Sequence, residues 1–180
     1  MVQYVAFLRG INVGGKHLVK MDALRAMFES LGFKEVKTFI QSGNVLFDTT
    51  AKDSAGLTKK IEKALLKELG YPVSVMIRTG TELTAMVQLQ PFAGIEADGV
   101  GYVTFLAEER SGEPSLPLRA RTNDCALIHI TPREIFTVGY RTPDGRSGNV
   151  MALIEKEAGK SVTTRNWNTI EKIAGLLRKD

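Results

Sequence analysis

The chain has 180 residues, 43% of them hydrophobic, and a formal net charge of +4. This composition supplies a core for one domain or two small ones, and it excludes a disordered or fibrous chain. No apolar run approaches the roughly 18–20 residues of a membrane-spanning helix, and the N-terminus lacks a signal-peptide pattern. With a single cysteine, Cys125, the sequence predicts a cytoplasmic protein with no disulfide framework and no membrane partner.

The first half of the chain predicts four strands and two helices. The predicted strands are residues 4–8, 36–40, 45–47 and 73–77. Apolar residues recur at helical spacing from Met21 to Leu31 and from Leu57 to Leu69, and Gly32 and Gly70 end these helices. The resulting order of elements is the βαββαβ pattern of a ferredoxin-like sandwich.

The second half predicts a less regular mixture of strands and helices. Thr79 and Glu82 have the spacing of a capping box and predict another helix, after which residues 90–99 form a linker. Strands are predicted at 100–107, 125–130 and 135–140, with helices at 150–158 and at the C-terminus. The predicted fold class is therefore α+β with two subdomains. The first, ferredoxin-like, spans residues 1–92, and a smaller related α+β unit spans residues 98–180.

A glycine-rich loop with positive charge follows the first predicted strand. Its sequence, residues 9–16, is Arg-Gly-Ile-Asn-Val-Gly-Gly-Lys. In the predicted sandwich this loop emerges at the same edge as the hairpin connection at residues 41–44. Backbone N–H groups and cations in such a loop suit an anion. The candidate ligand-binding residues here are Arg9, Gly10, Asn12, Gly14, Gly15, Lys16, Gln41, Ser42 and Asn44.

A second candidate group lies where the last helix is predicted to begin. Its members are Arg165, Asn166, Asn168 and Thr169. Helix N-termini favour anions, which leads to the hypothesis of a cleft between the subdomains with this helix start facing the glycine loop. A structural interpretation stays open beside it, because glycines form turns, asparagines cap helices and arginines join subdomains through carboxylates. Trp167 is expected in the core.

Three of these segments together resemble the hallmark stretches of DUF1697, a bacterial family of unknown function. They are residues 9–16, 41–45 and 164–169. The resemblance implies a two-part α+β fold, and it implies no activity, cofactor or substrate. In the relatives the loop after Tyr140 often carries a Ser-Lys pair, whereas here Ser147 is followed by Gly148.

Other chemical signals are weak. Residues 10–16 have the spacing of a phosphate-binding NTPase loop, but His17 stands where that motif needs Ser or Thr for Mg²⁺. The two histidines lack the spacing of a metal site, so no metal and no cofactor are predicted. Cys125 is predicted to be a buried, inert thiol.

The sequence favours the binding of a small anionic ligand, phosphate- or nucleotide-like, at the glycine loop. A nucleic-acid-binding protein is one alternative, although the strands lack exposed aromatic pairs that stack bases. A second alternative is an enzyme with Lys16 or His17 in its chemistry, and a third is an interaction module in which the motifs are structural. Catalysis, the identity of the ligand and the oligomeric state are left open.

Overall fold

The structure is a computed structural model that describes residues 1–15, 17–95, 99–110, 118–119, 124–141, 150–151, 154 and 161–178. Its strands are β1 (Val2–Leu8), β2 (Lys34–Phe39), β3 (Asn44–Thr49), β4 (Val75–Thr79), β5 (Gly99–Leu106), β6 (Leu118–Arg119), β7 (Cys125–Ile130), β8 (Glu134–Tyr140) and β9 (Val162–Asn166). Its helices are α1 (Met21–Ser30), α2 (Ser54–Leu69), α3 (Gly80–Gln88) and α4 (Trp167–Ala174). The α+β class is confirmed. Most of the predicted helix at 150–158 lies outside the described residues.

The chain forms two compact units. The first comprises Met1–Thr84 together with Leu176–Asp180, and the second comprises Ala85–Gly175. The sequence placed the boundary later, at residues 92–98, and assigned the C-terminus to the second unit. The second unit holds a five-stranded sheet and the first unit a four-stranded one.

The first unit has the predicted βαββαβ order of elements. Its sheet has the strand order β2-β3-β1-β4, and the pairs β1–β3, β1–β4 and β2–β3 are all antiparallel. Both predicted glycine stops are observed. Gly70 caps α2 in the left-handed conformation, and the N–H of Gly32 closes α1 on the carbonyl of Glu29. The predicted capping box is also present, since the carboxylate of Glu82 accepts hydrogen bonds from the N–H and hydroxyl of Thr79.

Both faces of strands β1, β3 and β4 are largely buried. On one face Tyr4, Ala6 and Leu8 belong to a core that includes α1 and α2 residues. On the other face Val5 and Phe7 are buried as well. Polar side chains are also buried in this sheet, and they are Asn44, Asp48 and Arg78. Because side chains on both faces of these strands are buried, we expect accessible functional groups in the connections at the sheet edges.

One buried charge in the first unit is met by the C-terminal segment. Nη2 of Arg178 lies 2.7 Å from Oδ2 of Asp48, and the Arg178 N–H donates to Oε1 of Gln3. Asp48 is fully buried and neither carboxylate oxygen has hydrogen-bond geometry to a partner among the described residues. The contact with Arg178 is therefore an ion pair held by charge attraction rather than by an aligned hydrogen bond.

The second unit is built on a sheet of order β6-β7-β8-β5-β9, antiparallel throughout. Its aromatic core joins Phe92 and Trp167, whose ring centroids lie 5.0 Å apart, and Phe136 lies 6.1 Å from Trp167. Trp167 is thus a core residue, as expected. Cys125 is buried, and burial with the neighbouring Asp124 raises the pKa of its thiol to about 11, which keeps it protonated and unreactive near neutral pH.

Candidate functional site

Three connections of the first unit meet at one edge of its sheet. The loop after β1, the turn between β2 and β3, and the segment before β4 all emerge there because β1 is antiparallel to both neighbours. The Leu8 N–H donates to the Gly43 carbonyl at 2.8 Å, and the Arg9 N–H donates to the Ser74 carbonyl at 2.9 Å. We call residues 9–15, 17–20, 40–43 and 71–74 the loop edge. It brings the predicted glycine loop and hairpin together.

Asn12 joins two of these connections through its side chain. Its Nδ2 donates to the carbonyls of Val19 at 3.0 Å and Gln41 at 2.8 Å, and its Oδ1 accepts from the Val19 N–H at 2.7 Å. Both amide hydrogens are therefore used within the protein. Asn12 holds the glycine loop closed and ties it to the hairpin turn, which gives it a structural role at the predicted site.

Replacing Asn12 by alanine is expected to lower the free energy of unfolding by about 1–3 kcal/mol, because three hydrogen bonds are lost and their main-chain partners are half-buried or exposed. Chemical denaturation measures this change. Gln41→Ala is the control, because the bond from Asn12 reaches the Gln41 main chain and survives. Equal stability of wild type and Asn12→Ala would contradict the assigned role.

The hairpin turn is held by its own polar side chains. Nδ2 of Asn44 donates to the Phe39 carbonyl at 3.0 Å and to Oγ of Ser42 at 2.9 Å. Asn44 is fully buried and Ser42 half-buried. These two predicted ligand-binding residues therefore shape the turn, and of the predicted hairpin residues Gln41 is the one with an exposed side chain.

His17 packs against the segment before β4. Its ring centroid lies 4.1 Å from that of Tyr71. The Tyr71 hydroxyl is buried and has no hydrogen-bond partner among the described residues. This contact ties the far end of the glycine loop to the third connection. Lys16, the neighbouring predicted cation, lies outside the described residues.

The glycines of the loop take conformations that favour glycine. Gly14 and Gly15 have φ angles of +58° and +73°, and Gly10 has a φ of +72°. A Cβ atom at any of the three would meet nothing within 4 Å. The loop therefore stands open at these positions, and its glycines serve backbone conformation rather than close packing.

The loop edge as described carries two cations, Arg9 and Lys20, and one carboxylate lies next to it. Oε1 of Glu62, on α2, accepts from the N–H of Val75 at 2.9 Å, where β4 begins. Arg9 is exposed, and within the part of the chain that the structure describes its side chain makes no hydrogen bond or ion pair. Lys20 is exposed as well. Such a surface attracts anions.

The second predicted group lies in the second unit, and the prediction for Arg165 needs correction. Arg165 is the fourth residue of β9, opposite Val103, and not part of a helix start. Its guanidinium is nearly fully buried, and Nη1 donates to Oγ1 of Thr163 at 2.8 Å and to the Thr164 carbonyl at 2.9 Å. Burial lowers the pKa of Arg165 to about 10. Strand β9 includes these polar residues because hydrogen bonds to β5 satisfy their backbone N–H and C=O groups.

The helix start itself is capped by the protein. Oδ1 of Asn166 accepts from the Asn168 N–H at 3.0 Å, so Asn166 is the N-cap of α4. The Asn168 side chain is exposed and that of Thr169 is half-buried. The capping interpretation thus applies to Asn166. That these residues bind a ligand stays a prediction.

Sequence reasoning missed the apolar side chains of the loop edge. Val13, Leu18 and Ile40 are 65%, 77% and 52% exposed. The sequence alone does not mark them, because Ile11 in the same glycine-rich loop is buried and Ile40 is the last residue of the predicted strand 36–40. Among the described residues, no group of three or more His, Cys, Asp or Glu side chains is placed to hold a metal ion. No described helix is long and apolar enough to cross a membrane.

The fold and this edge define an α+β protein of two units with a basic connection surface on the first. Residues 1–136 match the model of DUF1697, a family described as proteins of unknown function, and the chain belongs to this family. The match includes the first two resembling stretches, and residues 164–169 lie beyond it.

A solved structure has the same fold. It is the conserved bacterial protein SP0830 from Streptococcus pneumoniae, which is 23% identical, with a TM-score of 0.75. The similarity covers 98% of this chain and 99% of that chain. No curated protein matches the sequence. The comparisons therefore establish family and fold, and the family has no assigned activity.

Proposed function

We propose that the protein binds an anionic group at the loop edge, with Arg9 as its main charged contact. The observation that carries this proposal is the exposed Arg9 side chain, which makes no hydrogen bond or ion pair among the described residues and stands in a loop with open space at its glycines. An exposed arginine of this kind is a ready partner for phosphate or carboxylate oxygens.

The neutral groups of the edge support the same proposal. The exposed Gln41 side chain adds a donor and an acceptor, and His17 adds a ring nitrogen beside the glycines. The bonds from Asn12 to Gln41 and Val19 run to main-chain atoms, so they hold the loop in place and leave the Gln41 side chain available to a ligand. The cytoplasmic location also remains a proposal, and the single free, buried Cys125 accords with it.

The experiment is a thermal-shift titration with inorganic pyrophosphate on wild type, Arg9→Ala and Arg25→Ala. Arg25 is the matched control, because it is an exposed arginine of the same unit paired with Asp22 on α1. We expect wild type and Arg25→Ala to gain equal stability from the probe, about 2.7 kcal/mol at 100 times the dissociation constant. Arg9→Ala is expected to bind at least tenfold more weakly, since a hydrogen bond to a charged group is lost.

The outcomes separate the alternatives. An equal response of Arg9→Ala and Arg25→Ala, or no response of any protein, would contradict the proposal. A short single-stranded oligonucleotide serves as the second probe. Tight binding of the oligonucleotide that falls steeply with salt, beside no response to pyrophosphate, would favour a nucleic-acid-binding protein instead.

A further inference from the structure

The sheets of the two units have the same plan. The order β2-β3-β1-β4 of the first recurs as β7-β8-β5-β9 in the second, with β6 added outside β7. Residues 4–8 of β1 read Tyr-Val-Ala-Phe-Leu, and residues 102–106 of β5 read Tyr-Val-Thr-Phe-Leu. The residues opposite the two tyrosines are Phe47 and Thr79 in the first unit, and Thr137 and Asn166 in the second. The paired strand positions of the first sheet therefore have equivalents in the second.

Three apolar positions of the first sheet are occupied by threonine in the second. They are Ala6, Phe47 and Ile77 in the first unit, and Thr104, Thr137 and Thr164 in the second. All three first-unit residues belong to its hydrophobic core. The same face of the second sheet also packs on a core, which includes Leu127, Ile135 and Ile154. Because burying a hydroxyl costs free energy that an apolar side chain does not, three threonines at core positions indicate a functional site.

The Thr137 hydroxyl adds a second and independent observation. Thr137 is fully buried, and its Oγ1 has no hydrogen-bond partner among the described residues. In the first unit the equivalent Phe47 stacks on Tyr4, with ring centroids 5.7 Å apart. Tyr102, which lies opposite Thr137, makes no ring contact and no side-chain hydrogen bond within the described chain. A hydrogen-bonding group and an aromatic face thus stand side by side without a partner from the protein.

We call Tyr102, Thr104, Thr137 and Thr164 the threonine face. It reaches the surface at Tyr102 and Thr164, which are half-buried. The hydroxyls of Thr104 and Thr164 lie 2.8 Å apart, and that of Thr164 donates to Sδ of the exposed Met151 at 3.3 Å. Within the described strands the residues on this face are uncharged. Neutral hydroxyls beside an aromatic ring and a thioether suit an uncharged ligand rather than an ion.

We propose that the threonine face binds a flat, uncharged molecule with hydrogen-bonding groups at its edge, of the nucleobase type. The ring of the ligand lies on Tyr102, and its edge hydrogen-bonds to the Thr137 hydroxyl. Because Tyr102 is half-buried and directly opposite Thr137, a rotation of its side chain admits the ligand edge. This site differs from the anion site in its unit and in its chemistry, so it does not depend on the proposed function.

The test is an amide-resolved NMR titration of the full chain with adenosine, uridine and nicotinamide. The proteins are wild type, Thr137→Val and Thr163→Val. Thr163 is the matched control, because it is a buried threonine on the opposite face of β9 and accepts from Nη1 of Arg165 at 2.8 Å. We expect wild type and Thr163→Val to bind the same probe equally, with shift changes at the amides of Tyr102, Thr104 and Thr137. Thr137→Val is expected to bind it about fivefold more weakly, since one hydrogen bond is lost.

Thermal unfolding separates a hydroxyl kept for a ligand from a structural one. Thr137→Val is expected to raise the melting temperature by about 2–4 °C, because a methyl group replaces a buried hydroxyl that has no partner. Thr163→Val is expected to lower it, because Arg165 loses an acceptor. A lower melting temperature of Thr137→Val would overturn the inference. So would binding of none of the three probes, equal binding by wild type and Thr137→Val, or shift changes confined to the loop edge.

Discussion

Replacing Gly43 by alanine is expected to lower the free energy of unfolding by about 2–5 kcal/mol. The new Cβ would lie 2.7 Å from Cδ1 of Ile11 and 2.9 Å from Cβ of Leu8, both in the core. Overpacking of a core costs about 1–3 kcal/mol, and the φ angle of +74° adds about 1–2 kcal/mol for any residue with a side chain. Urea denaturation measures the loss.

Gly14→Ala is the matched control for this prediction. Gly14 also has a positive φ, +58°, but a Cβ there meets nothing within 4 Å. It therefore carries the backbone penalty without the clash, and a loss of only about 1–2 kcal/mol is expected. Equal losses for the two variants would show that the contact between the turn and Ile11 is not close.

Removing Arg178 is expected to destabilise the first unit by about 2–3 kcal/mol. The substitution Arg178→Ala leaves the fully buried Asp48 carboxylate without the charge that faces it at 2.7 Å. Breaking a buried pair from one side costs about 3–5 kcal/mol, and the value here is lower because the Arg178 side chain is 54% exposed and screened by water.

A double-mutant cycle tests the cause of that loss. Asp48→Asn removes the charge that Arg178 compensates, so the double variant Asp48→Asn with Arg178→Ala is expected to be more stable than Arg178→Ala alone. Arg25→Ala, which breaks the exposed pair with Asp22, is the control and is expected to cost less than about 1 kcal/mol. Simple additivity of the two substitutions would show that the ion pair contributes nothing.

The elements that could be predicted from the sequence are those whose signals are local. Gly70 ends α2 because the residue after the last helical turn takes the left-handed conformation, which glycine favours. Glu82 lies only three residues after Thr79, whose N–H its carboxylate accepts. The alternation and helical spacing of apolar residues gave the βαββαβ order for the same reason. Each of these sequence signals lies within a few neighbouring residues.

The rest depends on contacts between residues far apart in the chain. Arg178 bonds to Gln3 across 175 positions, and no local pattern announces that the C-terminal segment belongs to the first unit. Arg165 follows polar residues and precedes a helix, which suggested a helix start, but its pairing with Val103 makes it a strand residue. The exposure of the loop-edge side chains likewise depends on the bonds from Asn12 to Val19 and Gln41.

The most direct test of anion binding at the loop edge is an amide-resolved NMR titration of the labelled full chain with inorganic pyrophosphate. We predict saturable shift changes at the amides of Arg9, Gly10, Gly14, Gly15 and Gln41, and their loss in Arg9→Ala but not in Arg25→Ala. Changes confined to other parts of the chain, or shifts that persist unchanged in Arg9→Ala, would contradict the assignment of the loop edge as the anion site.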